Sequence, residues 1–191
     1  MTTVVVPFRS GGKTRLPSGL RVELSLAMLG DVLEAARACA ARVRLVTDDD
    51  AAMSLAAELE AEAVAEPGGG QGPAVAGALI GVQGVCLVVN ADLPCISPAS
   101  LLRLAGRCPS LVAAPDGTTN ALSLPDPSAF RALYGSGSAA RFAAAGFHAA
   151  PISELEQDVD TLADVARLTH PVGPRTTLVL DRHDVRPVVE S

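Results

Sequence analysis

The chain has no tryptophan, one tyrosine and four phenylalanines among its 191 residues. That leaves too few aromatic faces for the stacking platforms that bind single-stranded nucleic acid. Positive charge is also short: 15 Lys and Arg face 21 Asp and Glu, a net charge of −6, whereas a nucleic-acid partner calls for a basic face. Lys13 is the one lysine in the chain. No apolar stretch approaches the roughly 20 residues of a membrane-crossing helix. The opening "MTTVVVPFRS" has neither the basic start nor the apolar run of a secretion signal. Cys39, Cys86, Cys95 and Cys108 form no C-x-x-C pair and sit among apolar neighbours, which points to reduced structural thiols rather than metal or disulfide chemistry. The expectation is a cytoplasmic protein with no nucleic-acid and no membrane partner. A small anionic substrate fits, because a local basic pocket can sit on an acidic protein.

What is present is a globular composition, 49% hydrophobic and 19% charged, long enough for one domain with a full core. "TVVVPF", "VRLVT" and "EAVAEP" read as strands, and "GVCLVVNADLP" as a strand buried on both faces. Between them, "ELSLAMLGDVLEAARACAA" has helical spacing, with Leu26, Leu29, Leu33, Ala36 and Ala40 on one stripe. "DDAAMSLAAELEA" and "PAVAGALIGV" are further helices, and "PASLLRLAGRC" starts one with Ser97 as cap and Pro98 in the first turn. From Ser110 the order changes. "SLVAAPD", "NALSL" and "FHAAPI" read as strands, "DPSAFRALYG" and "SGSAARFAAAG" as short helices, and "DTLADVARL" as a helix capped by Asp160. "TTLVL" in the tail is a strand candidate. The β-α-β rhythm of the first half predicts an α/β fold, a mostly parallel sheet covered by helices.

"VVVPFRSGGKTRL" ends like a P-loop, yet the position five before Gly12 is Pro7. Proline lacks an amide hydrogen and cannot serve as the first glycine of that cradle. The stretch still suits a phosphate site of another kind. It leaves the carboxyl end of the first strand, where open α/β sheets put ligands. Gly11 and Gly12 let backbone amides approach an anion, and Lys13 and Arg15 add charge. The glycine loop "EPGGGQGP", with Gly70 and Gly72, follows the third strand and offers main-chain contacts to a nucleotide. "NADLP" brings Asp92 to the same edge, where Mg²⁺ beside phosphates is the usual partner of a carboxylate. Asp158 and Asp160 stand two apart in "QDVDTLADV", on one side of an extended segment. His148, His170 and His183 are scattered, with no nucleophile and base arrangement. A phosphate monoester nucleophile needs none, since its second pKa of about 6 leaves it mostly dianionic near neutrality.

Six segments in this order, "VVVPFRSGGKTRL", "NADLPCISPASL", "PDGTTNAL", "YGSGSAARF", "DVDTLADV" and "VGPRTTLVL", resemble the CofC/FbiD guanylyltransferases over nearly the whole chain. The resemblance implies a GT-A-like nucleotidyltransferase fold, a Rossmann-type mixed, mostly parallel sheet flanked by helices. It implies one nucleotidyltransferase domain over 1–191, with a nucleotide-binding half at 1–108, an acceptor-binding half at 109–170 and a tail at 171–191. It implies transfer of GMP from GTP to a three-carbon phosphoacid in coenzyme F-420 biosynthesis, with release of pyrophosphate. The acceptor stays open between phosphoenolpyruvate, 2-phospho-L-lactate and 3-phosphoglycerate, and phosphoenolpyruvate is favoured on the arginine- and alanine-rich composition. Carried over by position, Asp92, Asp158 and Asp160 look like Mg²⁺ ligands. Lys13 and Arg15 match the basic pair that neutralises the triphosphate, with Pro7, Gly11, Gly12, Gly70 and Gly72 on the nucleotide side. Thr119, Gly135 and Ser138, with Asn120 beside them, match positions holding the acceptor. Arg9 stands where the family usually has lysine, and Gly70-Gln71-Gly72-Pro73-Ala74 stands where it has a motif close to G-L-N-A-A. The alternatives are a molybdenum-cofactor-type nucleotidyltransferase, suggested by "GQGPAVAGAL", and a catalytically inactive nucleotide-binding regulatory module.

Overall fold

Val4, Val5 and Val6 are all fully buried because their strand lies mid-sheet with a helical layer on each face. This computed structural model describes residues 2–9 and 15–185. The expectations placed on Gly11, Gly12 and Lys13 lie outside the described residues.

Strand β1 (Thr3–Pro7) pairs in parallel with β2 (Arg42–Val46) on one side and β4 (Cys86–Val89) on the other. β3 (Glu62–Val64) extends the sheet beyond β2. On the far side lie β6 (Thr119–Leu124), β5 (Ser110–Ala113) and β7 (His148–Ala149), giving the order β3-β2-β1-β4-β6-β5-β7. Of these strands only β6 runs antiparallel to its neighbours, so the mixed, mostly parallel sheet expected from the rhythm is present. Chain order reverses between β1 and β4, which opens a crevice at their carboxyl ends.

Alternation along β1 sorts the core. Val4 and Val6 join a cluster with Leu29, Leu33 and Ala36 of helix α1 (Ser18–Arg37) and with Leu101 and Leu104 of α4 (Pro98–Ala105). Of the predicted stripe, Leu26, Leu29, Leu33 and Ala36 lie on the face that α1 turns to this cluster and Ala40 falls past its end, while the helix begins five residues earlier than its periodicity suggests. Val5 faces the opposite layer, where Ala74, Val75 and Ala78 of α3 (Gln71–Ala78) meet Phe142 of α5 (Ser138–Ala144). Helix α2 (Asp50–Glu58) is capped by Asp49, which accepts from the Ala52 amide at 2.8 Å. Ser97 and Ser100 form a reciprocal capping box on α4, with Pro98 in the first turn as predicted.

Three expectations are corrected. Residues 126–135 form no helix beyond a single 3-10 turn at Pro127–Ala129. Arg141 donates to the carbonyls of Leu133 (2.8 Å), Tyr134 (3.0 Å) and Ser136 (2.7 Å) and holds that stretch as an irregular loop. After the short α6 (Ser153–Glu156), helix α7 (Leu162–Ala166) is capped by Thr161 in a box with Asp164, which leaves Asp160 outside the cap. "TTLVL" lies in α8 (Pro174–Arg182), not in a strand. Its β-branched run is overridden by docking: Thr176, Val179 and Leu180 pack on Leu24 and Met28 of α1 or are buried beside them.

The docking of α8 has its own cap. Gly173 at its N-terminus has no side chain to offer, and Asp31 of α1 accepts from the amides of Arg175 (3.0 Å) and Thr176 (2.9 Å) instead. A Cβ on Gly173 would fall 2.2 Å from the Asp31 Cγ, so the glycine makes room for the foreign cap. Arg175 then bridges to Glu34 and Glu58, both at 2.8 Å.

Candidate active site

At the crevice between β1 and β4 lies a cavity of about 310 Å³. Its wall is drawn from the ends of four strands: Pro7 at the end of β1 with Phe8 and Arg9 after it, Val46 at the end of β2, Glu66 after β3, and Asn90, Ala91 and Asp92 after β4. Gln71 and Ala74 come from α3, Ser25 from α1 and Asp160 from the segment ahead of α7. Of the residues singled out in the sequence, Pro7, Asp92 and Asp160 line this one cavity.

Asp158 joins them. One oxygen from each of Asp92, Asp158 and Asp160 lies within 4.8 Å of the others. Asp158 and Asp160 flank Val159, which is 1% exposed and faces the core, so the two carboxylates emerge on the same side. The pair is pinned to Asp92 through the backbone, where the Val159 amide donates to the Asp92 carbonyl at 3.1 Å. Two more ties hold the same loop: the Gly173 amide on the Pro94 carbonyl at 2.8 Å and the Cys95 thiol on the His170 carbonyl at 3.3 Å. Burial, with the neighbouring Asp92 charge, pushes the Asp158 carboxyl up to about 6, against a hydrogen bond from Asn120 that favours the ionised form. Three hard oxygen donors crowded at the mouth of a cavity fit a small divalent cation, and Mg²⁺ takes such sets while keeping several waters.

A run of side-chain amides connects this cluster to the glycine-loop helix. Gln71 Nε2 donates to Asn90 Oδ1 at 2.8 Å. Asn90 Nδ2 donates to the Thr119 carbonyl at 3.3 Å and to Asn120 Oδ1 at 3.4 Å. Asn120 Nδ2 donates to the carbonyls of Leu155 (3.1 Å) and Glu156 (3.2 Å) and to Asp158 Oδ1 (3.3 Å). The polarity is fixed at the carboxylate end, since only the amide nitrogen of Asn120 can face two carbonyls and a carboxylate. Every donor therefore points toward Asp158.

The remaining predicted residues fall elsewhere. Arg15 sits in an exposed turn ahead of α1 and is not among the residues lining the cavity. Gly70, at φ +96°, turns the chain into α3. Gly72 is buried, and a Cβ there would come 2.8 Å from the Ala132 Cβ, so this glycine serves close packing. Thr119 and Ser138 are buried, their hydroxyl oxygens 2.9 Å apart. Gly135 stands in the turn just before α5, where its carbonyl accepts from the Ser138 amide at 3.0 Å. Sequence reasoning missed Arg9, Glu66, Gln71 and Asn90 as wall residues. The rule that found Asp92, a polar residue just past the carboxyl end of a parallel strand, points equally to Arg9, Glu66 and Asn90.

The model of the MobA-like NTP transferase domain matches residues 20–148. Phosphoenolpyruvate guanylyltransferase of Streptomyces coelicolor is 36% identical to this chain, covering 94% of it and 96% of the relative. The enzyme of the same name from Streptomyces avermitilis is 38% identical, covering 94% of each. Among solved structures, one from Desulfovibrio desulfuricans G20 assigned as a nucleotide-diphospho-sugar transferase superposes with a TM-score of 0.72 at 16% identity, covering 96% of this chain and 95% of that one. A nucleotidyl transferase from Methanothermobacter superposes at 0.64 with 15% identity, covering 86% and 94%. The GT-A-like α/β architecture is common to these folds.

Proposed function

The chain belongs to the phosphoenolpyruvate guanylyltransferases, within the MobA-like NTP transferase domain family, and from that membership we propose that it moves GMP from GTP onto phosphoenolpyruvate and releases pyrophosphate, as a step in coenzyme F-420 biosynthesis. The observation that carries the reading is the carboxylate trio: Asp92, just past the carboxyl end of β4, and Asp160 line the cavity at the chain reversal, and Asp158 stands beside them.

In this reading the nucleotide lies along the wall supplied by residues 1–108, and the acceptor is held by 109–170. Asp92, Asp158 and Asp160 hold Mg²⁺, which when bound neutralises phosphate oxygens and polarises the α-phosphorus. Lys13 and Arg15 balance charge on the triphosphate and on the departing pyrophosphate. Thr119, Ser138, Asn120 and Gly135 position the acceptor. The acceptor phosphate is already dianionic near neutrality, so no side chain is needed to remove a proton. Chemistry by positioning and charge, without a general base, is sufficient for such a nucleophile. The amide run from Gln71 to Asp158 keeps the carboxylate oriented.

The test is pyrophosphate release from GTP with Mg²⁺ and phosphoenolpyruvate, 2-phospho-L-lactate or 3-phosphoglycerate offered in turn. Phosphoenolpyruvate gives the highest kcat/KM, and Asp92→Asn lowers turnover by at least about 100-fold with the fold intact by circular dichroism. A silent panel with undiminished GTP binding would instead identify a nucleotide-binding module without transferase activity.

A further inference from the structure

Asn120, the second residue of β6, is 2% exposed and turns its whole side chain into the protein. Its Oδ1 accepts from Asn90 Nδ2 at 3.4 Å. Its Nδ2 faces three acceptors: the Leu155 carbonyl at 3.1 Å, the Glu156 carbonyl at 3.2 Å and Asp158 Oδ1 at 3.3 Å. Two N–H hydrogens shared among three acceptors leave none over for a ligand. The motif "PDGTTNAL" sets Asn120 beside the acceptor residues, yet its bonds face the carboxylate trio. Any hold it has on an acceptor passes through Asp158 or the adjoining Thr119, not through contact.

The three acceptors belong to one short run of chain. Helix α6 has four residues, so its last carbonyls find no partner within the helix. Asn120 satisfies two of them and then reaches the carboxylate just beyond. Leu155 and Val159, on either side of that run, are buried in the core, so the stretch carrying Asp158 is anchored at both ends. Asn120 adds a tie that acts on the carboxylate itself. A donor on Oδ1 fixes the plane of the group, while the remaining lone pairs stay open to a cation.

The chemistry of the position selects an amide. A hydroxyl brings one donor to three acceptors, an aspartate would set a further acceptor among them, and a lysine or arginine would neutralise a carboxylate the cation needs. Asn90 fixes which way the amide points by occupying its oxygen. The backbone holds the two residues side by side, with the Asn90 amide donating to the Asn120 carbonyl at 2.9 Å.

We propose that Asn120 is a positioning residue for the cation site, its amide nitrogen holding Asp158 in the orientation that lets three carboxylates share one divalent ion. The inference rests on the cation site of the reading above and not on which nucleotide or acceptor is bound.

The test uses Mn²⁺, an ion suited to oxygen ligands, whose free fraction is read by electron paramagnetic resonance. Its Kd is measured for the full chain as wild type, Asn120→Ala, Asp158→Ala and the double variant, with Tm recorded for each. Loss of a hydrogen bond behind a metal ligand costs about 10- to 100-fold in affinity, and Asn120→Ala raises the Kd by that factor. In the Asp158→Ala background the same substitution shifts the Kd by no more than about twofold, because its target is gone. Asn120→Ser, which keeps one donor, falls between wild type and Asn120→Ala, and it carries the same cycle if the alanine variant does not fold. Equal factors in the two backgrounds overturn the proposal and leave Asn120 as scaffold. So does an unchanged Mn²⁺ Kd with a raised KM for phosphoenolpyruvate at saturating Mg²⁺, which would make Asn120 an acceptor ligand. A wild type that takes up no Mn²⁺ overturns the cation site and this inference together. A wild type that takes up Mn²⁺ but transfers nothing to any acceptor sinks the transfer reading alone, and the Mn²⁺ cycle still decides the role of Asn120.

Discussion

The Asp158 carboxyl couples the candidate site to pH. Its folded-state value of about 6 lies above the ordinary 3.8 because of burial and the adjacent Asp92 charge. The folded state therefore binds the proton more tightly than the unfolded chain. This group favours folding at low pH, and its contribution is lost as pH rises from near 4 through about 6. A cation among the three carboxylates reverses the balance by favouring the ionised form. The gain in Tm on adding Mg²⁺ is accordingly larger at pH 7.5 than at pH 5. Calorimetric titrations at pH 5 in two buffers of different ionisation enthalpy detect the released proton; equal Tm gains at both pH values would exclude Asp158 from the cation's ligands. The same repulsion makes Asp158→Asn a variant of opposed effects. Its cation-free Tm rises above wild type at pH 7.5, while turnover falls by at least about 100-fold, measured by thermal unfolding and pyrophosphate release. That Asp92, Asp158 and Asp160 would share a site was legible from strand ends and from i, i+2 spacing. The amide run was not, because Gln71, Asn90 and Asn120 lie on three separate segments and only the pairing of β4 with β6 brings two of them side by side.

Among the elements, α8 shows where propensity and docking disagree. "TTLVL" has strand composition, and nothing within it reveals that Asp31, 144 positions from Arg175, supplies its cap. Short-range capping signals at Ser97 and Pro98 were readable because donor and acceptor are neighbours in the chain. The borrowed cap is not, since it joins α8 to α1 across the chain. Asp31→Ala leaves two buried amides without an acceptor and costs about 1–3 kcal/mol by urea unfolding. Gly173→Ala is at least as costly, since the added methyl displaces the Asp31 carboxylate that α8 depends on. If Asp31→Ala proved neutral while Gly173→Ala did not, the cap would count for less than the close packing.

At the scale of the whole molecule, one continuous sheet joins the two halves inferred from motif order. The parallel half, with its alternating strands and helices, was legible from hydrophobic rhythm. The irregular stretch from 126 to 137 was not, since its form comes from Arg141 reaching back to three carbonyls. A ligand that bridges strands β1 to β4 stabilises the whole fold by mass action. Mg²⁺-GTP at 100 times its Kd adds about 2.7 kcal/mol, a rise of roughly 5–10 °C in a domain of this size. Scanning calorimetry with Mg²⁺-GTP and Mg²⁺-ATP side by side checks it, the guanine nucleotide giving the larger rise.

The loop from Asp92 to Cys95 is stitched by Val159, His170 and Gly173, all from the chain's last stretch. During synthesis, then, the β1–β4 crevice emerges from the ribosome long before its second and third acidic groups do. A nascent protein halted before Asp158 would have the wall of the crevice but a solitary aspartate at its rim, so it would lack the acidic trio until the late segment folds back and closes the seam.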